Sequence, residues 1–320
     1  MNPISGTYPY PAAGPDGESV RRFLADTKES EELVTIVDEE LKMMSQVCAN
    51  GGRVQGPYLH QFSALARSEY VLQGHTEFNA REVLRMTMFA PTVIGSPVRN
   101  AVRIIARHER SGRGYYSGVL ALVGLDEYAR ETLDAPILIR SAYLTPDGLI
   151  STPVGATLVR HSLPADEVAE THAKAAAVLG ALGVLGELPA APVHAQPADT
   201  RFDSVVDLGG YPGVSAALTA RNDFLAQFWL TEQPVCPQPG LRGRTAVIID
   251  AEDDWTAMPT HVLVRLAMTV TVSPWFEVGN VVTADVVIAG PGPGIQSMSR
   301  TDESIFCSGS SVSGCRQGVH

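Results

Sequence analysis

The sequence is short of positive charge and of long apolar runs, and each shortage excludes a class of protein. Its 320 residues hold 24 Lys and Arg against 35 Asp and Glu, so the formal net charge is -11. A surface this acidic repels phosphate backbones and anionic lipid head groups, which argues against nucleic-acid and membrane partners. The longest apolar stretch, residues 175–186, falls short of the about 18–20 residues that cross a bilayer.

Cysteine is also scarce, and a leader is not evident. Four cysteines without CxxC spacing (Cys48, Cys236, Cys307 and Cys315) favour reduced thiols and argue against structural zinc. Residues 1–17 have neither the basic start nor the apolar centre of a signal peptide. We therefore expect a cytoplasmic protein. With 45% hydrophobic residues and a mean hydropathy of +0.05, it has the composition of a globular rather than a disordered chain.

Hydrophobic spacing predicts a mixed α/β chain whose composition changes near residue 188. Before that point we expect a loop at 1–17, helices at 26–48, 81–88, 98–109 and 162–182, and strands at 115–123, 135–144 and 149–159. After it we expect a linker at 188–213, a helix at 216–230, a loop at 233–243, strands at 245–250, 269–272 and 284–289 with a helix at 255–266, and an unstructured tail at 295–320. The apolar strands of the last part favour a parallel α/β domain.

Two pairs of charged residues each fall on one face of a predicted helix. Glu29 and Glu32 are three residues apart, and Glu170 and Lys174 are four apart. Three carboxylates from two helices could bind one Mg²⁺, a hard cation that prefers oxygen ligands. The alternative is that these faces are solvated and carry ordinary surface ion pairs.

Other residues could bind an anion. Arg140 ends the predicted strand 135–140, where a guanidinium suits bidentate binding of a carboxylate, although such an arginine can also be merely exposed. Tyr116 could hydrogen-bond a ligand or belong to the core. Gly155 would let backbone amides approach an anion, or it could mark a bulge. The histidines, among them His161 and His172, form no nucleophilic triad pattern.

Seven ordered segments resemble the chorismate-utilising enzymes, a family that includes anthranilate, aminodeoxychorismate, isochorismate and 2-amino-2-deoxyisochorismate synthases. The segments are PISGT (3–7), KESEE (28–32), APTVIGSP (90–97), GRGYYSG (112–118), IRSA (139–142), VGA (154–156) and the stretch 166–174. The resemblance covers residues 1–182. It implies the C-terminal half of the anthranilate synthase component I fold, and a linker at 183–243. Residues 244–294 resemble the start of a flavodoxin-like class I glutamine amidotransferase domain, before a tail at 295–320.

Carried over residue by residue, the resemblance implies a Mg²⁺ site and a substrate site. Mg²⁺ would be held by Glu32 and Glu170, with Glu29 and Glu167 beside it or bound through water. Tyr116 and Arg140 would bind the enolpyruvyl carboxylate of chorismate. The ring carboxylate would be bound by Lys174 and the backbone of Gly155, Ala156 and Thr157. The pocket would be lined by Gly6, Thr7 and Thr92. The implied catalytic set is Glu29, Arg67, Thr92 and Lys174.

Departures from the family patterns favour one subtype. The stretch VDEELKMM (37–44) and the turn Gly95-Ser96-Pro97 look more like phenazine- and enediyne-type 2-amino-2-deoxyisochorismate synthases than like anthranilate synthases. Arg67 stands where the lyase members keep a histidine that assists pyruvate loss, and an arginine cannot shuttle protons near neutral pH. This favours a reaction that stops at the aminated intermediate.

Three hypotheses follow. The first is amination of chorismate to 2-amino-2-deoxyisochorismate with ammonia from glutamine, and the second is anthranilate synthase. The third is an inactive truncated product, or a subunit that needs a homodimer or another chain, since the resemblance begins mid-domain and stops soon after the glycine motif at 290–294. The amidotransferase cysteine segment G-x-C-x-G is not matched, so we expect no glutaminase activity from this chain.

Overall fold

The computed structural model describes residues 1–11, 13–61, 65–96, 98–159, 161–184, 207–278 and 283–291. The helices of this part are α1 (Gly17–Leu24), α2 (Thr27–Val47), α3 (Ala80–Met86), α4 (Pro91–Ile94), α5 (Val98–His108), α6 (Pro164–Ala181), α7 (Val214–Thr219), α8 (Gln227–Leu230) and α9 (Ala257–Arg265). The strands are β1 (Ile4–Pro9), β2 (Arg53–Gln61), β3 (Leu65–Gln73), β4 (Leu122–Leu125), β5 (Glu131–Asp134), β6 (Tyr143–Leu144), β7 (Ile150–Ser151), β8 (Thr245–Asp250), β9 (Thr269–Pro274) and β10 (Val286–Ala289). Short 3₁₀ helices occupy Leu208–Gly210, Ala220–Phe224 and Asp254–Thr256.

The long helix α2 is the central element, as its apolar spacing predicts. Asp26 caps its first turn by accepting a hydrogen bond from the Glu29 backbone N–H. Its buried stripe includes Leu33, Val37 and Leu41, which form a core with β2, β3 and the Trp229 ring of α8. The first two turns of the helix carry Glu29 and Glu32, which are discussed below.

The N-terminal stretch is not the loop expected for residues 1–17. β1 pairs antiparallel with β3, which also pairs with β2, giving the order β1-β3-β2. The β1–β3 register shifts between Ser5 and Tyr8, and Gly6 adopts a φ of 77° in this bulge. Asp16 then caps α1 by accepting hydrogen bonds from the backbone N–H groups of Glu18 and Ser19. The glycines and prolines that suggested a loop thus belong to a bulged strand and a helix start.

The prediction of three strands between residues 115 and 159 is largely wrong. The described chain has only the two short hairpins β4–β5 and β6–β7 there, with one isolated bridge between Val119 and Ile137. Arg140 accordingly lies in a loop rather than at a strand end. Apolar residues form a strand only where a partner strand and a packing surface exist. Leu120 and Leu122 have no such surface, since they are 65% and 71% exposed.

The segment after residue 206 packs onto the first sheet. The continuous helix expected at 216–230 is wrong, because α7, a 3₁₀ helix and α8 follow one another there. Leu208 and Val214 are fully buried with Val20 and Leu24 of α1. The part of the expected linker at 185–206 and the expected tail at 295–320 lie outside the described residues.

The parallel α/β unit is confirmed. β8 pairs in parallel with both β9 and β10, in the order β10-β8-β9. α9 joins this unit to α2, since Met258 belongs to the α2 core and His261 Nε2 donates to the Ser45 carbonyl oxygen at 2.8 Å. No helix in the described part of the chain is long and apolar enough to cross a membrane.

Candidate active site

A cavity of about 500 Å³ lies between the β1 bulge, α2, the α4 turn, the loops at 111–116, 139–140 and 153–157, and α6. It is lined by most of the residues that the sequence nominates: Gly6, Thr7, Glu32, Arg67, Thr92, Tyr116, Arg140, Gly155, Ala156, Thr157, Glu170 and Lys174. Glu29 and Glu167 lie beside it rather than in its lining, as described next. Eight separate stretches of sequence, one of them β3 with Arg67, therefore meet in one place.

The acidic residues of α2 and α6 surround one lysine. Lys28 Nζ lies 3.0 Å from Glu167 Oε1, 3.5 Å from Glu32 Oε1 and 3.8 Å from Glu170 Oε2. Glu170 also pairs with Lys174 at 2.7 Å. Glu167 is 4% exposed, so this part of the α6 face is not solvated. Glu170 is exposed, and the Lys28–Glu32 and Glu170–Lys174 pairs are i,i+4 ion pairs of the kind that the alternative interpretation expects.

Glu29 has a buried carboxylate oxygen, Oε2, that makes no hydrogen bond. The structure brings that atom against Gly6, where an added Cβ would lie only 2.5 Å away. Burial, followed by the negative charge of Glu32, raises the pKa of Glu29 to about 7. Burial also raises the pKa of Glu32, against the opposing effects of Lys28 and of the Ser5 hydroxyl.

The neighbouring carboxylates keep Lys28 protonated. Burial works against its charged form, but the carboxylates of Glu167, Glu32 and Glu170 outweigh burial and raise its pKa above the usual range. Sequence spacing alone could have indicated its pairing with Glu32 four residues on. The convergence with α6 required the fold.

The other side of the cavity is cationic. Arg67 and Arg140 both line it, and the pKa of the Arg67 guanidinium is lowered by burial and then by the positive charge of Arg140. Arg140 has a left-handed backbone with φ 55°, which is uncommon for a residue with a side chain. It is exposed to solvent while still lining the cavity. Tyr116 is half-buried, and its pKa is raised by burial against the charges of Arg113 and Arg140.

Hydrogen bonds hold the cavity walls together. Lys174 Nζ donates to the Gly155 carbonyl oxygen at 3.0 Å, and Thr157 Oγ1 donates to the Thr92 carbonyl oxygen at 2.9 Å. A Cβ on Gly155 would lie 2.9 Å from the Tyr116 hydroxyl, so only glycine leaves that ring in place. The Thr92 hydroxyl is buried without a partner in the protein, which leaves it available to a ligand.

Sequence reasoning missed two supporting residues. Arg113 forms a fork to Glu109 and donates to the Val93 carbonyl oxygen and the Ser117 hydroxyl, both at 3.0 Å. It ties the 111–117 turn to α4. Ser5 Oγ donates to Glu32 Oε2 at 3.2 Å. The i,i+4 spacing of Glu109 and Arg113 was a usable signal, whereas the Ser5 contact joins residues 27 positions apart.

The carboxylates fit a hard divalent cation by their chemistry. The donor set is made of carboxylate oxygens, which Mg²⁺ prefers, and the Oε2 atoms of Glu29 and Glu167 are buried without a hydrogen-bond partner. Within the described residues, no group of three or more His, Cys, Asp or Glu side chains stands at metal-ligand spacing as it is. Lys28 is instead the cation that Glu32, Glu167 and Glu170 share.

Known proteins resemble this chain in sequence. The family model described as chorismate binding enzyme matches residues 1–180. The phenazine-specific anthranilate synthase of Pseudomonas chlororaphis is 45% identical over 296 residues, which cover 92% of this chain and 44% of that protein. Anthranilate synthase component 1 of Escherichia coli (strain K12) is 30% identical over 196 residues, covering 56% of this chain and 36% of that protein.

A solved structure of the menaquinone-specific isochorismate synthase of Escherichia coli is similar with a TM-score of 0.46 and 21% identity, over 56% of this chain and 40% of that one. The chain spans less than half the length of the two curated relatives. The family model covers more than half of the chain, in the part that builds the cavity. The chain therefore belongs to the chorismate binding enzyme family.

Proposed function

We propose that this chain carries the chorismate site of an enzyme that aminates chorismate to 2-amino-2-deoxyisochorismate. In this reaction a C–N bond forms between ammonia and C2, the C4–O bond breaks, and the departing hydroxide takes a proton to leave as water. Glutamine would be the source of ammonia. The observation that carries the proposal is the single cavity in which Arg67, Arg140 and Lys174 face the same space as Glu32 and Glu170.

The cations suit a dianionic substrate. Arg140 would bind the enolpyruvyl carboxylate with its planar fork, and the Tyr116 hydroxyl would donate to the same group. Lys174, which already donates to the Gly155 carbonyl oxygen, would hold the ring carboxylate together with the backbone of Gly155, Ala156 and Thr157. The mutual repulsion between Arg67 and Arg140 would be relieved by a bound anion, which favours substrate binding.

Glu32 and Glu170 would hold Mg²⁺, with Glu29 and Glu167 beside them. When bound, the ion would stabilise negative charge that develops on the ring carboxylate as the hydroxyl leaves. Glu29 supports this assignment because its buried oxygen lacks a partner and its carboxyl is hard to ionise without a nearby cation. Ser5, by donating to Glu32, would orient that ligand.

Arg67 favours a reaction that ends at the aminated product. Loss of pyruvate requires a proton to be removed from C2 and one to reach the leaving enolpyruvate, and a guanidinium exchanges protons poorly near neutral pH. The Pseudomonas relative is named a phenazine-specific anthranilate synthase. The phenazine part of that name fits the aminated product, whereas the enzyme name itself fits anthranilate. Anthranilate formation is therefore the second candidate.

The test is a product assay with chorismate, Mg²⁺ and ammonium, followed by mass analysis. The proposal predicts an adduct that has gained the amino group and kept the pyruvate carbons. Anthranilate would support the second candidate, and no product combined with no chorismate binding by calorimetry would contradict both. Arg140→Met should weaken chorismate binding by about 10- to 100-fold, the equivalent of one charge-assisted hydrogen-bonding group.

A further inference from the structure

Arg221 is a buried cation in a part of the chain outside the family match. It lies in the 3₁₀ helix Ala220–Phe224, whereas the family model ends at residue 180. Only 3% of the residue is exposed. Burying a guanidinium is costly unless its donors are used, so the contacts of Arg221 indicate what it is there to do.

The guanidinium joins the end of α1 to β3. Its Nη1 donates to Ser68 Oγ at 2.8 Å, and its Nε and Nη2 point to the Leu24 carbonyl oxygen at 3.4 and 3.3 Å. Leu24 is the last residue of α1, so the charge also complements the negative end of that helix. The guanidinium lies over the Phe23 ring, 5.6 Å from its centroid.

From Ser68 a hydrogen-bonded path runs to the candidate cation site. The Ser68 hydroxyl, fully buried, donates to the Ser5 carbonyl oxygen at 2.8 Å. Ser5 is the last residue paired with β3 before the register shifts, so this bond fixes the start of the β1 bulge. The Ser5 hydroxyl then donates to Glu32 Oε2 at 3.2 Å.

A second, apolar path reaches the same bulge. The Phe23 ring, which packs under Arg221, lies so close to Gly6 that a Cβ there would be 3.1 Å from the ring. Gly6 and Thr7 form the bulge and line the cavity. Arg221 is thus linked to Ser5 through Ser68 and to Gly6 through Phe23. It does not itself line the cavity.

We propose that Arg221 is a positioning residue for the candidate active site: through Ser68 and Phe23 it fixes the β1 bulge that presents Ser5 to Glu32. The link to cation binding rests on the proposed function, whereas the effect on the bulge does not. Arg221 would act on the ligand geometry of Glu32, in the way that hydrogen bonds behind a metal ligand commonly tune affinity.

Asn222 provides a matched control because it anchors the same 3₁₀ helix to a different place. Its Oδ1 accepts from the Tyr70 hydroxyl at 3.1 Å, and its Nδ2 donates to the Gly56 carbonyl oxygen at 3.1 Å. These bonds lead to β3 and β2, not to β1. If Arg221 merely anchors the helix, Asn222→Ala should mimic its loss.

The experiment compares the full chain with Arg221→Met, Ser68→Ala and Asn222→Ala. Hydrogen exchange followed by mass spectrometry reports on the amides of residues 5–8, and titration with Mn²⁺ reports on the cation site. We expect exchange at residues 5–8 to be at least tenfold faster in Arg221→Met and Ser68→Ala, with Mn²⁺ bound about tenfold more weakly. Asn222→Ala should lower the melting temperature but change neither readout at this site.

Unchanged exchange at residues 5–8 in both Arg221→Met and Ser68→Ala would overturn the proposal, as would equal effects from Asn222→Ala. Ser68→Ala keeps the test decisive if Arg221→Met does not fold. Absence of Mn²⁺ binding to the unmodified chain would contradict the proposed function instead. The exchange measurement would still decide the role of Arg221 in that case.

Discussion

Lys28 Nζ lies 3.0 Å from Glu167 Oε1 and thereby joins the start of α2 to the first turns of α6. The same ammonium is 3.5 Å from Glu32 Oε1. Because a lysine and a divalent cation satisfy the same carboxylates, the two should compete for them. Lys28 thus offsets part of the negative charge of the acidic cluster from within the fold.

Removal of the Lys28 charge should strengthen divalent-cation binding. In Lys28→Met the apolar stem is retained, while Glu32 and Glu167 lose a competing positive charge. We expect Mn²⁺ to bind about three- to tenfold more tightly, which is about 0.7–1.4 kcal/mol. Arg22→Met, which removes an exposed i,i+4 pair with Glu18, is the control and should leave the titration unchanged. Weaker Mn²⁺ binding by Lys28→Met would show that the lysine supports the site instead.

Gly6 and Gly14 allow backbone strain to be separated from crowding at the carboxylates. Both have left-handed φ angles, 77° and 88°, but a Cβ on Gly6 would lie 2.5 Å from Glu29 Oε2 whereas one on Gly14 meets nothing within 4 Å. Each alanine substitution should cost about 1–2 kcal/mol of unfolding free energy from the backbone. Only Gly6→Ala should also weaken Mn²⁺ binding, by about tenfold or more. Equal Mn²⁺ affinities of the two variants would remove Glu29 from the site.

Burial of the Glu40 carboxyl should make the protein less stable as the pH rises from about 5 to 7. Burial raises the pKa of Glu40 to about 7, against an opposing effect of the Met1 amino group, from 4.5 as the ordinary value. Below 4.5 the carboxyl is protonated in both states, and between 4.5 and 7 only the unfolded state ionises, so rising pH favours unfolding. Above 7 the loss is complete. Glu29 contributes in the same direction.

Glu40→Gln should flatten this pH dependence without abolishing it, since Glu29 remains. Urea unfolding at pH 5 and pH 8 measures the effect as the difference between the two unfolding free energies. An unaltered difference in Glu40→Gln would mean that the Glu40 carboxyl does not titrate in this range in the folded protein.

Gly155→Ala should act on substrate binding through Tyr116. The added Cβ would lie 2.9 Å from the Tyr116 hydroxyl, and a ring can turn away at little cost to folding. We expect less than about 1 kcal/mol of destabilisation, and chorismate binding weakened about three- to tenfold. In a Tyr116→Phe background the same glycine substitution should have little further effect on chorismate affinity. Additive losses in the double variant would show that the two residues act separately.

The sequence predicted the elements that carry a periodic or apolar pattern of their own. α2 buries an apolar stripe within its 21 residues, α6 is a helix of 18 residues close to the predicted bounds, and β8 of the parallel unit is a short apolar run. Ten candidate positions within the segments that resemble the family motifs line one cavity, together with Arg67 and Thr157. The ordered family motifs therefore predicted more residues of the candidate site than the secondary-structure patterns did.

The remainder depended on long-range contacts. Gly6 and its neighbours predicted a loop in place of β1. The bulge at Gly6 can be understood only from the pairing of β1 with β3 and from the approach of Glu29, which the sequence pattern does not contain. The apolar residues at 115–159 suggested strands, but a strand forms where partners exist, and the described chain pairs only short pieces there. Arg221 could not be connected with Glu32 from spacing, because Ser68 and Ser5 lie between them in space.

Calorimetric titration of chorismate, with Mg²⁺ present and with the divalent cations chelated, tests the central claim most directly. If Glu32 and Glu170 hold an ion that contacts the ring carboxylate, Mg²⁺ should tighten chorismate binding by about tenfold or more, and chorismate should tighten Mg²⁺ binding by the same factor. Glu32→Gln and Glu170→Gln should abolish this coupling. Chorismate affinity that is equal with and without Mg²⁺ would contradict the account.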